Sequence, residues 1–196
     1  MCSERVVFGV CCLLAAVLGG CVHGGERTVV SGAAALSFDG AGEELAFWEA
    51  LRGQGLATNA DVVRAAVLYL GEEGVADGLV GWREALESRG LMGVGGELEA
   101  SASARVGLVA VLFGRIAGVE GVPRRAWEAG SLWETAAVKR GRAVGLLPDR
   151  SANQAMTGAE LIAVVRRAEM YAATGGTRLT GRSEERRVGK ECPSPC

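Results

Sequence analysis

The stretch MTGAELIAVVRRAEMYAA, residues 156–173, decides the fold class. Its apolar residues recur at helical spacing and form one stripe, made of Leu161, Val164, Val165 and Ala168. Thr157 and Glu160 stand three positions apart just before that stripe, which is the spacing of an N-terminal capping box. The stretch therefore predicts an amphipathic helix that is opened by Thr157 and buries one face in a core.

Upstream of this helix, apolar residues keep the same helical spacing. The stripes are Leu45, Trp48 and Leu51; Val62, Val63, Ala66, Val67 and Leu70; Leu79, Trp82 and Leu86; and Leu108, Val109, Leu112 and Ile116. Thr58 and Asp61 repeat the capping-box spacing. No run alternates with period two for long enough to predict a strand. We expect an all-α domain of about six helices over residues 41–176.

The predicted helices form three similar helix-loop-helix units. In each unit a tryptophan-bearing helix leads to a Gly-Leu pair, a loop and an aliphatic helix. The tryptophans are Trp48, Trp82 and Trp133, and the Gly-Leu pairs lie at residues 55–56, 90–91 and 145–146. We expect each tryptophan to anchor the first helix of its unit.

This pattern resembles the S-layer homology repeat, which occurs in threes. The best copy runs from AVGL at residues 143–146 to MTGAEL at residues 156–161, and the second unit keeps Gly-Leu and the following helix. In the family, the second helix usually begins with Thr-Arg-Ala-Glu, whose arginine helps to bind wall polymer; here Gly158 takes the place of that arginine. The resemblance implies a helical scaffold with cell-wall polymer as its ligand. An unrelated helical bundle with tryptophans in its core fits the same spacing.

The N-terminus predicts export and a lipid anchor. Residues 6–18 are apolar, which is too short a run for a membrane span of about 20 residues, and Arg5 precedes them as in a signal peptide. Leu-Gly-Gly-Cys at residues 18–21 resembles the lipobox of bacterial lipoproteins. The resemblance implies that residues 1–20 are a signal peptide and that Cys21 is lipidated. A signal peptide with an accidental cysteine, or a core segment, are the alternatives.

The residues after the anchor predict a tether and a location. Residues 21–40 are rich in small residues and predict a flexible linker. Val22 is not the aspartate associated with inner-membrane retention, so we expect the outer membrane if the host has one. No cysteine lies between Val22 and Glu191, so a disulfide framework is not expected.

The C-terminal tail is expected to be disordered over residues 177–196. RSEERRVGKEC, residues 182–192, resembles the translation of a sequencing-library adapter. We therefore expect residues 182–196 to be foreign to the protein and exclude them from fold reasoning.

A calcium loop is an alternative interpretation of residues 149–160. Oxygen-bearing side chains occupy EF-hand positions 1, 3, 5, 9 and 12, namely Asp149, Ser151, Asn153, Thr157 and Glu160. Gln154 stands where the motif requires glycine for its sharp turn. The same residues also fit a polar loop followed by a helix cap.

Composition excludes other classes of function. The formal net charge is −2 without a basic stripe, which argues against nucleic-acid binding. The only histidine, His23, lies on the predicted tether, where it cannot be positioned as a general base. We assign no catalytic, cofactor or metal residue, and expect no enzyme activity and no cofactor.

The sequence thus predicts a lipid-anchored, non-enzymatic interaction or structural protein of the bacterial cell envelope. Its expected partners are the membrane, through the anchor at Cys21, and a wall polymer or an envelope protein. The alternative is a calcium-stabilised envelope protein with its EF-hand-like loop at residues 149–160. Oligomeric state is left open.

Overall fold

A computed structural model describes residues 32–38, 42–72, 78–93, 98–122 and 131–176. These ranges hold seven helices: α1 (Ala34–Ser37), α2 (Glu44–Gly53), α3 (Asn59–Tyr69), α4 (Leu79–Ser88), α5 (Val106–Ile116), α6 (Ser131–Ala143) and α7 (Gly158–Ala173). The same ranges hold isolated bridges but no strand, so the all-α prediction is confirmed. None of these helices has the length and apolar character needed to cross a membrane.

Two helices are buried on nearly all sides and form the centre of the core. In α3 every residue from Ala60 to Val67 is buried, and in α5 every residue from Val106 to Gly114. α7 buries one face only, which includes the predicted stripe at Leu161, Val164, Val165 and Ala168. Helices covered by neighbours all round need apolar residues all round, and α5 accordingly departs from a simple amphipathic stripe.

A closed ring of backbone hydrogen bonds joins the three units just before their second helices. Ala57 N–H donates to Met156 O (2.8 Å), Met156 N–H to Ala104 O (3.0 Å) and Ala104 N–H to Ala57 O (2.8 Å). Each unit thus gives one bond and receives one. The three units surround an approximate three-fold axis.

A second set of bonds also links the three units in a circle, with donors and acceptors running in the opposite sense. The first residue of each second helix donates its N–H to a loop of another unit: Asn59 to Ala102 O, Val106 to Gln154 O and Gly158 to Gln54 O, at 3.0, 2.9 and 3.1 Å. First-turn N–H groups have no partner within their own helix. Each unit therefore completes the helix start of another.

The helices of the three units also pack on one another in a circle. α3, α5 and α7 contact one another pairwise at the centre. Around them, α4 packs on α3, α6 packs on α5, and α2 packs on α7. The first helix of each unit covers the second helix of the unit before it, and the pair of α2 and α7 closes the circle. The predicted three-unit architecture is confirmed at this level.

The residues predicted to anchor the first helix of each unit need correction in the first and third units. Phe47 is buried in α2, whereas Leu45, placed in the predicted stripe, is 71% exposed. Trp133 of α6 is 44% exposed rather than buried. Counted back from the Gly-Leu pairs, Phe47 and Trp82 occupy equivalent positions, and the third unit has Ala137 there. The tryptophans are therefore out of register between units, and Trp133 lies one turn too early.

The predicted tether also reaches too far. Residues 32–38 belong to the packed body, because Ala33, Ala34 and Ala35 are buried and α1 packs on α2 and α3. Small side chains allow this close approach, so a composition that suggests a linker also suits a tightly packed segment. The predicted signal peptide, Cys21, His23 and the predicted tail at residues 177–196 lie outside the described residues.

Candidate binding cleft

An open cleft of about 830 Å³ lies between α6 and the loop that follows it. Its lining combines charged, neutral polar and apolar side chains: Thr135, Val138, Lys139, Arg142, Ala143, Leu147, Asp149, Arg150, Ser151, Ala152 and Asn153. Three of these side chains are cations and one is an anion. The cleft is thus locally basic in a chain whose formal net charge is −2.

Gly141 allows the loop after α6 to pack directly against the helix. Leu147 packs directly over Gly141, where an added Cβ would come within 2.7 Å of Leu147 Cδ1. The turn is closed by a bond from Leu146 N–H to Gly141 O (2.8 Å), and Gly145 adopts a φ of +82° that other residues disfavour. The predicted Gly-Leu turn at residues 145–146 therefore builds one wall of the cleft.

Arg142 and Asp149 form an ion pair across the mouth of the cleft. Both side chains are largely exposed, at 43% and 86%. Exposed pairs contribute about 0–1 kcal/mol, because water solvates the separated charges almost as well. Arg142 can therefore exchange Asp149 for another anion at little cost.

Arg150 is held more firmly at the opposite side. It donates to Ala155 O at 3.0 Å and pairs with Glu160 Oε1 at 2.8 Å. Glu160 Oε2 in turn accepts from the N–H and the hydroxyl of Thr157, at 2.9 and 3.0 Å. The predicted capping box is confirmed, and it also orients a cation at the cleft.

The residues of the predicted calcium loop are engaged in other contacts. Asp149 pairs with Arg142, and Glu160 serves the helix cap and Arg150. Gln154 Oε1 accepts from Ser151 N–H (2.8 Å) and so closes the loop with its side chain. In the described ranges no group of three or more His, Cys, Asp or Glu side chains is arranged to hold a metal ion. Calcium binding at residues 149–160 stays a prediction that this geometry does not favour.

The first unit contains a counterpart of this cap. Thr58 and Asp61 form a capping box at the start of α3, as their spacing predicted. They occupy the same place relative to the ring as Thr157 and Glu160. The signal was present, since residues 58–61 read Thr-Asn-Ala-Asp and residues 157–160 read Thr-Gly-Ala-Glu. The first and third units therefore share a Thr-x-Ala-acid run at the start of their second helices.

A buried arginine joins the first two units. The Arg64 guanidinium lies 5.2 Å from the Phe47 ring centroid and 5.1 Å from that of Trp82, and the residue is 3% exposed. A cation between two aromatic faces is stabilised by both ring quadrupoles. Arg64 thus ties α3 to α2 and α4.

The structure explains why residue 158 is a glycine. A Cβ at residue 158 would lie 1.7 Å from the backbone oxygen of Leu51. No side chain fits where α2 meets the start of α7. The cations of the third unit's cleft come instead from α6 and the loop that follows it.

Comparison of the chain with models of protein families, with curated proteins and with solved structures gives no match. Function is accordingly inferred from the cleft and its surroundings.

Proposed function

We propose that this chain is a lipid-anchored, non-enzymatic binding protein of the bacterial cell envelope, and that it holds an acidic wall polymer in the cleft beside α6. The observation that carries the proposal is the cleft itself, where Lys139, Arg142 and Arg150 face a single acid, Asp149. Arginine and lysine are the side chains that recognise phosphate and carboxylate groups.

The remaining lining of the cleft suits a carbohydrate or polyol chain. Thr135, Ser151 and Asn153 offer neutral donors and acceptors for hydroxyl groups. Val138 and Leu147 offer apolar surface for C–H faces. An open cleft of about 830 Å³ also accepts a segment of a long chain, whereas an enclosed cavity would not.

Two resemblances support the same conclusion. Three helix-loop-helix units closed by a cyclic set of hydrogen bonds fit a repeat that occurs in threes, as S-layer homology repeats do. The lipobox-like residues 18–21 would place such a scaffold at a membrane facing the wall polymer.

Co-sedimentation of the full chain with isolated envelope fractions tests polymer binding. We expect pelleting with the wall fraction that weakens as salt is raised, because salt screens cation–anion contacts. Arg142→Gln combined with Arg150→Gln should lower the pelleted fraction about tenfold, whereas Arg166→Gln, an exposed arginine of α7, should leave it unchanged. Equal pelleting of all three proteins would exclude the cleft as the site.

The anchor has its own test. The mass of the N-terminal peptide from membrane-purified protein should equal that of a diacylglyceryl-modified Cys21 at the mature N-terminus. Cys21→Ser should remove this modification and the membrane association, while Cys12→Ser, within the predicted signal peptide, should preserve both. An unmodified peptide that still begins at Met1 would contradict lipidation.

A further inference from the structure

The outward side of α6 combines exposed apolar residues with cations. Leu132 and Trp133 begin the helix and are 80% and 44% exposed. Lys139 and Arg140 follow two turns later and are also exposed. The inward side of the same helix buries Ala137, Val138 and Gly141 against α5 and the loop. We call Leu132, Trp133, Lys139 and Arg140 the outer face of α6.

Among the residues that the structure describes, no carboxylate forms an ion pair with Lys139 or Arg140. The one acid of α6, Glu134, points inward and pairs with Arg105 at 2.9 Å, with only 13% of its side chain exposed. Arg140 is held in place by packing, because its side chain lies over Gly121, where an added Cβ would meet Nε at 3.2 Å. The outer face is therefore apolar at one end and cationic at the other.

That combination has a specific physical preference. Tryptophan and leucine enter the boundary between headgroups and acyl chains, and lysine and arginine attract anionic headgroups. Each basic residue close to such a surface contributes about 1 kcal/mol. We propose that the outer face of α6 rests on a membrane surface that carries anionic lipid headgroups; this inference rests on the lipid anchor at Cys21.

The predicted anchor makes even a weak contact effective. The chain from Cys21 to Gly32, where the described body begins, spans at most about 40 Å when fully extended. A surface confined so close to the bilayer experiences an effective concentration in the millimolar range. Two cations and two apolar side chains are then sufficient to orient the body.

The lipid contact and the polymer cleft lie on neighbouring flanks of α6, and Lys139 stands at their border because it also lines the cleft. Residues seven positions apart share a flank of a helix, which puts Trp133 with Arg140 and Thr135 with Arg142. Thr135 and Arg142 line the cleft, whereas Trp133 and Arg140 do not. With the outer face on lipid, Arg142 and Arg150 remain available at the cleft, so the protein would orient its polymer site relative to the membrane.

Tryptophan fluorescence in vesicles tests the orientation. The full-length protein purified from membranes is reconstituted into phosphatidylcholine vesicles with or without one-third phosphatidylglycerol, with brominated acyl chains as quenchers. The signal of Trp133 is the difference between the wild type and Trp133→Phe. We expect this difference to be quenched at least twofold more in the anionic vesicles, and the excess to vanish in 0.5 M salt.

Charge variants locate the contact. Lys139→Gln combined with Arg140→Gln should abolish the excess quenching, while Arg166→Gln on α7 should keep it. Equal quenching of Trp133 in neutral and anionic vesicles, or none in either, would overturn the proposal. Loss of wall-polymer pelleting in Arg140→Gln alone, a residue outside the cleft lining, without any change in quenching would overturn it as well, since the outer face would then serve the polymer.

The mass of the N-terminal peptide distinguishes a missing lipid anchor from a failed membrane contact of α6. If the N-terminal peptide carries no lipid, the quenching is measured with protein added to preformed vesicles, at concentrations raised to replace the tether. Excess quenching there supports the outer face without the anchor, and its absence rejects both.

Discussion

The first and third units begin their second helices with the same capping box, yet the two boxes have opposite surroundings. Asp61 is fully buried and accepts four hydrogen bonds, from Ala35 N–H, Gln54 Nε2 and the N–H and hydroxyl of Thr58, at 2.8, 3.0, 2.7 and 2.8 Å. Glu160 accepts the equivalent bonds from Thr157 but faces the cleft and Arg150. One local motif thus serves the core in one unit and the candidate site in another.

The difference comes from what covers each box. α1 packs over the first box, and Ala35 N–H adds a donor that water would otherwise supply. At the third box the loop at residues 149–155 leaves Glu160 partly exposed, and a cation balances its charge. The second unit has no box, since Leu108 stands at the acidic position, and there Glu134 of α6 pairs with Arg105 instead. The partly exposed cap of the third unit can therefore take part in a binding site, whereas the buried cap of the first unit cannot.

The largest effect is expected at the first residue of α7. Gly158→Ala forces a Cβ to 1.7 Å from Leu51 O, so α2 and α7 must separate, and we expect a loss of about 4 kcal/mol in the free energy of unfolding. Gly53→Ala in α2 is the matched control, because nothing lies within 4 Å of its Cβ and alanine favours the helix by up to about 1 kcal/mol. Urea unfolding measures both. Similar effects for the two substitutions would contradict the close approach.

The two boxes are compared directly by the same chemical change. Asp61→Asn replaces a buried acceptor of four donors by an amide that cannot accept them all, and should cost about 3 kcal/mol. Glu160→Gln keeps an acceptor in a partly exposed place and should cost at most about 1 kcal/mol. Urea denaturation of the two variants gives the ratio of their losses in the free energy of unfolding. A ratio near one would show that α1 does not stabilise the first box.

The second unit offers a coupled pair. Gly107→Ala would bring a Cβ to 2.7 Å from Glu134 Cβ and should cost about 2 kcal/mol through overpacking. Glu134→Ala in the same protein keeps Cβ but removes the carboxylate, whose Oε2 would lie 2.8 Å from the added methyl group, so the double variant should be less destabilised than the sum of the two single variants. A double-mutant cycle by urea unfolding measures this coupling. Additive losses would mean that Glu134 moves away from α5 without cost.

The smallest expected effect is a change in the pKa of Tyr69, at the end of α3, when Glu169 of α7 is substituted. Burial raises the pKa of Tyr69 above its ordinary value, and the negative charge of Glu169 raises it further. The unfolded chain ionises first, so this tyrosine's contribution to stability is complete below about pH 10 and falls as pH rises through its folded pKa. Glu169→Gln should lower the pKa of Tyr69 slightly, as tyrosinate absorbance in a Tyr171→Phe background would report. Glu84→Gln, exposed on α4, should not change it.

Several features followed from local sequence alone. Helical spacing predicted five of the six longer helices, the repeat of the units predicted α6, and the positions of threonine and acid predicted both capping boxes. Gly-Leu pairs predicted turns, and at residues 90 and 145 the glycines have the positive φ that such turns require. These features depend on residues within about two helical turns, so one chain segment contains all the information.

Other features required the packed molecule. Residues 32–38 looked like a tether, Trp133 looked like an anchor, and the basic cleft was not predicted. Each depends on which other segment packs alongside. The place of α1 depends on Asp61, and the register of α6 depends on the turn at Gly145 and Leu146. The cleft depends on the loop after α6. Sequence by itself determined the helices and their caps through short-range spacing. Tertiary structure decided which cap is buried, which cations converge and which face of α6 stays open, because those outcomes depend on contacts between residues far apart in the chain.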